Sequence, residues 1–593
     1  MSFERDTLGR QLQNRLTPAA AAFPSRRRQA YRALAGLTIL ALLAAAPLLR
    51  SGYVLQLATD ILTFVALAYS WNLISGFTGY VSFGQVTFFG MGAYATALMV
   101  LHTPIPWYLA IPIAVLLAGT AALLLGAVML RLRGIMFALG MLGLARILAV
   151  IFANWSFAGG AVGLTLPAEL TPIAVYVGTW AAALFAFGLN AFYMRSGLGL
   201  SAMGVRDDEG AAAALGVATG RVKILTFVLS ALAPAAVGGL VAWNRSFIDP
   251  ASAFDPSMDL QVVVFTLFGG IGTLWGPLLG TLVLMLIGEQ LWAYVPELQL
   301  ALYGGLVIVV VLAFPGGMVG LANRFGWLLR RPILAPRSFP EAIVPPPAPP
   351  SRPSDDAILE VRNLSVRFRG IVALDGLSFS VQRGESVSII GANGAGKTTL
   401  FNAVTGLVVP NEGSILYQDR PVAGLAPFQR ARHGIGRTFQ IPRLMESMTV
   451  WENVLLAAQH GRLSRQAVEQ TAWALHTTGL APMWLESIAR LTPGQQRRLE
   501  LARALALGPT LVLLDEVMAG MTRNEQEEIR GVLRRLPEFG VAAVAGIEHV
   551  ISAIADISDR MIVLDHGKKI AEGVPAAVLR DPVVIQSYLG EAR

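Results

Sequence analysis

The stretch Ser386-Val387-Ser388-Ile389-Ile390-Gly391-Ala392-Asn393-Gly394-Ala395-Gly396-Lys397-Thr398-Thr399 decides how the second part of this chain folds. A short apolar strand runs into G-x-x-x-x-G-K-[ST], and Leu400 to Val404 continue as helix. Glycines let the backbone wrap a polyphosphate so that successive N–H groups, and the start of the next helix, point at it. On this reading Gly391, Asn393, Gly394, Ala395 and Gly396 cradle phosphate, and Lys397 adds charge at the β and γ phosphates. Thr398, with Thr399 beside it, gives Mg²⁺ an oxygen. The pattern points to a polyphosphate ligand with Mg²⁺ as its companion ion.

Two further signals lie downstream. The apolar strand Leu511-Val512-Leu513-Leu514 ends in Asp515-Glu516. Asp515 there can hold Mg²⁺ through a water, while Glu516 polarises the attacking water. Between loop and acids stands Leu491-Thr492-Pro493-Gly494-Gln495, leading into the amphipathic Leu501-Ala502-Arg503-Ala504-Leu505. The Thr492 hydroxyl, the Gly494 amide and a helix start form a donor cluster suited to a γ-phosphate.

Composition excludes a single soluble domain. Of 593 residues 54% are hydrophobic and only 14% charged, against about 25% charged in ordinary soluble proteins. The absence of cysteine removes disulfides, cysteine zinc sites, thiol nucleophiles and iron–sulfur ligation together. The net charge of +8 reads as arginine gathered on the cytoplasmic side of a bilayer, with no nucleic-acid partner.

Apolar stretches near 33–49, 54–74, 85–101, 108–130, 135–154, 172–194, 223–243, 261–287 and 299–314 are each long enough to cross lipid as a helix. Threading them puts Arg26, Arg131, Arg133, Arg195, Arg206, Arg221 and Lys223 on one side, the cytoplasm. Nine spans would then leave the nucleotide half outside. The run Gly269-Gly270-Ile271-Gly272-Thr273-Leu274-Trp275-Gly276-Pro277 repairs the parity if it breaks 261–287 into a segment that re-enters. The first run also fits a cleavable leader ending near Ala44-Ala45-Ala46, although a retained helix is simpler. Asp60 lies in an apolar run, where a carboxylate is costly, and is expected to face the bundle interior or an interface. Pro345-Pro346-Pro347-Ala348-Pro349-Pro350 marks a semi-rigid linker. The chain thus divides into a basic segment 1–32, a membrane domain 33–331, a linker 332–356 and a nucleotide domain 357–593.

On these motifs the second half resembles the ATP-binding-cassette (ABC) ATPases, in which two cassettes close head to tail around ATP. The resemblance implies that Phe368 stacks on adenine, that Gln440 in Arg437-Thr438-Phe439-Gln440 reaches Mg²⁺, and that His549 is the switch histidine. It places Thr492, Gly494 and Gln495 against the ATP of the opposing cassette. Pro493 departs from the pattern, which has glycine and its N–H there, and Val517 replaces a common proline.

The first half resembles the permease of branched-chain amino-acid ABC importers. Ala68 to Gly79, Ser82-Phe83-Gly84-Gln85, Gly90 to Tyr94 and Phe268 to Pro277 carry that likeness. Arg195 to Gly199 through Arg206 to Gly216 resembles the loop by which such permeases dock on their cassettes. Ser587-Tyr588-Leu589-Gly590-Glu591 resembles the end of the family's ATPase subunit. The fold expected is a polytopic α-helical membrane domain fused to an α/β P-loop ABC ATPase domain. The implied activity is ATP-driven import of branched-chain or related hydrophobic amino acids across a bacterial inner membrane. A second permease and a second ATPase, either a companion chain or a second copy, and an external solute-binding protein are the implied partners. Importers of urea, short amides or small acids share the motifs, and a nucleotide-gated membrane sensor is the other reading that Pro493 and Val517 leave open.

Overall fold

The computed structural model describes residues 51–167, 171–294, 304–305, 308, 316–324, 335–336, 338–340, 357–368, 370–518, 520–539, 541–546 and 555–589. The basic segment 1–32, the first apolar run 33–49, most of 299–314 and most of the linker lie outside the described residues. The described residues form two compact units: one up to Arg206 together with Gly220 to Arg324, and one from 335 onward together with Asp207–Thr219.

In the helical unit, α1 (Gly52–Trp71) starts on Ser51, whose hydroxyl accepts from Val54 N, and passes into a π-helical turn at Asn72–Gly76. Then follow α2 (Gln85–His102), α3 (Trp107–Met129), α4 (Ile135–Asn154), the two-residue strand β1 (Leu164–Thr165), α5 (Pro172–Tyr193) and α6 (Gly197–Asp207). After the short α7 (Glu209–Ala214) come α8 (Thr219–Arg245), β2 (Phe247–Ile248), which pairs antiparallel with β1, and α9 (Pro250–Ala253). The unit's last described helices are α10 (Pro256–Gly269), α11 (Gly276–Tyr294) and α12 (Gly317–Arg324).

Five helical segments among the described residues are long and apolar enough to cross a membrane: Gly52–Gly76, Trp107–Met129, Ile135–Asn154, Pro172–Tyr193 and Thr219–Arg245. α2 forms where a span is expected but is not among the five; its 18 residues begin on Gln85 and end on His102, which lower its mean hydropathy. The expected run 261–287 is broken, and the glycines break it. α10 has 14 residues and would reach only about 21 Å, short of the ~30 Å hydrocarbon core. A Cβ on Gly269 would strike the Gly276 carbonyl oxygen at 1.8 Å, and one on Gly280 the Phe265 oxygen at 2.0 Å. These two contacts run in opposite order along the chain, so α10 and α11 form an antiparallel hairpin closed backbone to backbone. The same small-residue logic joins α2 to α8, where Gly92 meets the Ala235 carbonyl and Gly238 the Phe89 carbonyl.

Polar groups buried in this unit are mostly paired. Asn72 Nδ2 donates to Asn190 Oδ1 (2.8 Å) and Asn72 Oδ1 accepts from Gly272 N (2.7 Å), while Asn190 Nδ2 donates to the Tyr69 oxygen (2.9 Å). This network pins the π turn, α5 and the glycine-rich loop together, each bond adding about 0.6–2 kcal/mol in lipid. Asp60 accepts from Gln56 Nε2 at 3.2 Å, a local partner on its own helix. Lys223, the half's one lysine, is buried at the start of α8 and donates to Tyr80 OH at 2.8 Å.

The second unit holds two sheets. β3 (Ala357–Phe368), β4 (Ile371–Gln382), β6 (Glu412–Tyr417) and β7 (Arg420–Pro421) make an antiparallel sheet in the order β4-β3-β6-β7. β5 (Ser386–Gly391), β8 (Ile435–Arg437), β9 (Leu511–Asp515), β10 (Ala542–Gly546), β11 (Arg560–Asp565) and β12 (Lys568–Gly573) make the other, in the order β12-β11-β5-β10-β9-β8. In that sheet only β12 runs antiparallel. β9 is buried throughout, as an unbroken apolar strand of a covered parallel sheet should be. Val361, Leu364, Ile389, Leu400, Phe401, Leu513 and Leu564 form one core between the sheets and α13 (Lys397–Thr405). α14 (Pro427–His433), α15 (Val450–His460), α16 (Ala467–Thr477), α17 (Pro493–Ala506) and α18 (Arg523–Arg534) complete the helices used below.

Candidate nucleotide site

β5 ends on Gly391 and α13 begins at Lys397, so five residues turn the chain at the strand end. The turn requires glycine twice. Gly394 has φ +85° and Gly396 +99°, and a Cβ on Gly396 would meet the Ala373 oxygen at 2.4 Å. Lys397 Nζ donates to the carbonyls of Gly391 and, at 2.6 Å, Ala392, which holds the ammonium inside the concave loop. Burial moves the Lys397 pKa down, opposed by the carboxylates of Asp515 and Glu516. Asn393, Gly394 and Thr398 are exposed, Thr399 half-buried and Ala395 buried.

Asp515 closes β9, separated from β5 only by β10. Its N–H donates to Thr438 Oγ1 (2.9 Å), and Arg437 Nη2 stands 3.9 Å from Oδ2. Burial pushes its carboxyl above the usual range, with Arg437 pulling the other way. Oδ2 is buried and has no hydrogen-bond partner. A dehydrated carboxylate oxygen without a donor, in a site that also holds Lys397, fits a hard divalent cation with oxygen ligands. Glu516 follows at φ +48°, a left-handed conformation that costs a non-glycine residue about 1–3 kcal/mol. Gln440 Nε2 donates to its Oε1 at 2.8 Å.

Phe368 ends β3 with 45% of its surface exposed, beside the exposed Ile371 and Val372. Thr492 caps α17: its Oγ1 accepts from Gln495 N (3.3 Å) while Gln495 Oε1 accepts from Thr492 N (2.9 Å). Pro493 occupies the first helical position, where its ring suits the backbone and its lost N–H leaves no gap in the helix. Gly494 is buried against Glu525, which a Cβ would meet at 2.7 Å. The structure therefore brings Lys397, Asp515, Glu516 and Gln440 to one place and sets Thr492, Gly494 and Gln495 apart, at the start of α17. His549 lies outside the described residues.

Several groups here acquire their surroundings from distant elements, and of them Arg443 and Glu500 were given no site role by the sequence. Arg437 is buried, donating to Asn402 Oδ1 (2.6 Å) and Thr405 Oγ1 (3.1 Å). Arg443 is gripped through its backbone: its N–H donates to Glu500 Oε1 (3.3 Å) and its carbonyl accepts from Arg503 Nη1 (2.6 Å). Its guanidinium lies over the Phe439 ring and 3.6 Å from Asp208 Oδ2. Asp207 Oδ2 accepts from Ser447 N (2.9 Å), and the Gly216 carbonyl accepts from Arg432 Nε (2.8 Å). The segment Asp207–Thr219 thus belongs by its contacts to the nucleotide unit, although it lies in sequence between α6 and α8.

A phosphate loop, acid pair, glutamine and capped signature helix on this sheet define an ABC ATPase, here on one chain with a polytopic helical unit. Residues 53–311 match the family described as the permease component of the branched-chain amino acid transport system, 374–519 match ABC transporter, and 568–593 match the branched-chain amino acid ATP-binding cassette transporter family. The cassette is 38% identical over 252 residues to the high-affinity branched-chain amino acid transport ATP-binding protein BraF of Pseudomonas aeruginosa, covering 40% of this chain and 98% of that protein. The chain belongs to the branched-chain amino-acid ABC transporter family, with permease and ATPase fused. The high-affinity branched-chain amino acid transport ATP-binding protein LivG of Escherichia coli is 37% identical over 252 residues, covering 40% of this chain and 98% of that protein. The lipopolysaccharide export ATP-binding protein LptB of Acidithiobacillus ferridurans is 35% identical over 238 residues, covering 40% of this chain and 97% of that one. Among solved structures, a nucleotide-free ATP-binding cassette from an ABC transporter is 30% identical and is covered completely by 40% of this chain, with a TM-score of 0.37.

Proposed function

We propose that this chain imports branched-chain or related hydrophobic amino acids across the bacterial inner membrane, driven by ATP. The observation that carries the reading is the run of contacts from Asp207 and Asp208 through Arg443 and Phe439 to Gln440 and Glu516. It ties a segment between two apolar helices to the carboxylate best placed to activate water. Cassette likeness alone does not set direction, since an export ATPase is nearly as similar as the LivG and BraF proteins. The permease match over 53–311 favours uptake of amino acids.

In this reading Gly391 to Thr399 hold the triphosphate, Lys397 neutralises it and Phe368 stacks on adenine. Thr398, Gln440 and Asp515 would hold Mg²⁺, which would screen phosphate charge. Glu516 orients and polarises the attacking water, and Gln440 positions Glu516 through their hydrogen bond. His549 contacts the γ-phosphate. Thr492, Gly494 and Gln495 face the ATP of a second cassette, so the working unit contains a second permease and ATPase, and an external solute-binding protein delivers substrate. Glu516→Gln tests the engine. In proteoliposomes it should lower ATP turnover by about 10²- to 10⁴-fold while ATP binding persists. Unchanged turnover overturns the assignment of Glu516, and leucine uptake that does not depend on ATP overturns the transport reading.

A further inference from the structure

The start of α2 is unusual for a helix in lipid. Gly84 precedes it and offers no side-chain cap. The cap comes from Asp259 on α10, whose Oδ1 accepts from Val86 N at 3.1 Å. Asp259 is 1% exposed, and its Oδ2 has no hydrogen-bond partner. Gln85, the first residue of α2, is also 1% exposed, and neither its Nε2 nor its Oε1 is partnered. Ser82 Oγ and Thr87 Oγ1, both fully buried, are unpartnered too.

Folded proteins pair the great majority of buried polar atoms, so five orphans within one helix start and its cap require an explanation. Capping alone does not supply it, because asparagine or serine caps a helix as well as aspartate and brings no charge into lipid. The depth is also informative. Trp71 Nε1 donates to the Ser82 carbonyl (2.8 Å), which sets the approach to α2 about 8 Å before the end of the α1 segment at Gly76. Asp259 lies ten residues, about 15 Å of helix, before Gly269. Buried helix N-termini in transporters face the anionic parts of substrates; at this one the Asp259 carboxylate takes that place and reverses the local sign, which suits a cationic group.

We propose that Asp259 Oδ2, Gln85 and the hydroxyls of Ser82 and Thr87 form a station for the ammonium group of an α-amino acid in passage. An ammonium brings three donors. Asp259 Oδ2, Gln85 Oε1 and one hydroxyl oxygen accept them, and Gln85 Nε2 remains to donate to the ligand's carboxylate. The proposal rests on the reading that amino acids are the cargo.

The test uses the full chain in its assembled transporter, in lipid. Tritiated leucine binding is measured by scintillation proximity, with 3-methylbutylamine, which lacks the carboxylate, and 4-methylpentanoate, which lacks the ammonium, as competitors. The amine should compete and the acid should not. Asp259→Asn keeps an oxygen to cap α2, so its thermal unfolding should match the wild type while leucine binding weakens by about tenfold or more. Gln85→Leu, which leaves the cap untouched, should weaken it by a smaller factor. Equal binding by Asp259→Asn and wild type, stronger competition by the acid than the amine, or no leucine binding to the wild type overturns the station. Leucine uptake by the same proteoliposomes separates the two failures: wild type without uptake overturns the cargo reading, whereas equal uptake by wild type and Asp259→Asn overturns the station alone.

Discussion

Glu500 shows how a single carboxyl couples the cassette's stability to pH. It is buried on α17, accepting from Arg443 N, with Arg503 and Arg497 nearby. Burial raises its pKa to about 7, against the partial opposition of Arg503. A raised folded-state value means that the folded protein holds its proton more tightly than the unfolded chain. The stabilisation is complete below the unfolded value near 4.5, falls as pH rises to about 7 and is then spent. Its full size is about 3 kcal/mol. His460, whose pKa burial lowers to about 4, contributes a slope of opposite sign up to about pH 6.5, so Glu500 is read from a comparison: the thermal stability of the wild-type cassette relative to Glu500→Gln should fall as pH rises from 5 to 8. Asp515, also raised by burial, contributes a remainder of the same sign. A slope unchanged in the variant removes Glu500 as its source. Pro493 poses a residue-scale question of turnover. Glycine there would restore one N–H beside Gly494 at the expense of a stiffer helix start. Pro493→Gly should raise ATP turnover severalfold in proteoliposomes, and equal or lower turnover shows that this N–H contributes nothing to hydrolysis.

At the scale of elements, contiguity decides what the sequence makes legible. The phosphate loop and the acid pair at the end of β9 are each set by neighbouring residues, so strand, turn and helix are readable in order. The break between α10 and α11 is readable for the same reason, because four glycines between 269 and 276 cannot continue an apolar helix. The π turn at Asn72–Gly76 is not, since it depends on Asn190 and Gly272, far away in sequence. Glu500, Arg443 and Asp259 were invisible as site groups because each acquires its environment from another element. The α10–α11 hairpin gives its own prediction. A Cβ on Gly280 would sit 2.0 Å from the Phe265 oxygen and 2.7 Å from Gly269 N, all backbone that no rotamer change can move aside. Gly280→Ala should therefore force the helices apart and cost about 1–3 kcal/mol. It should appear as a lower unfolding temperature of the full chain in detergent, while Gly188→Ala, at a position open to added atoms, should not.

For the whole molecule, the central requirement is that ATP turnover and movement of cargo be one event rather than two, and Arg443 offers a way to separate them. Its backbone bonds to Glu500 and Arg503 survive truncation of the side chain. What Arg443→Ala removes is the guanidinium that reaches Asp208 and covers Phe439, the residue before Gln440. The ion pair is half-exposed, and such pairs contribute only about 0–1 kcal/mol to stability. The variant should accordingly fold normally and keep basal ATP turnover within about threefold, since Lys397, Asp515, Glu516 and Gln440 are untouched. Leucine moved per ATP should drop about tenfold. Exchanging the charges in Asp208→Arg with Arg443→Asp tests the pair itself, because recovery beyond the sum of the single changes measures direct coupling. If turnover and uptake fall in equal proportion in Arg443→Ala, the side chain serves the nucleotide site alone, and the force that moves cargo passes through the bonds that the Asp207 carboxylate accepts from Ser447 N and the Gly216 carbonyl accepts from Arg432.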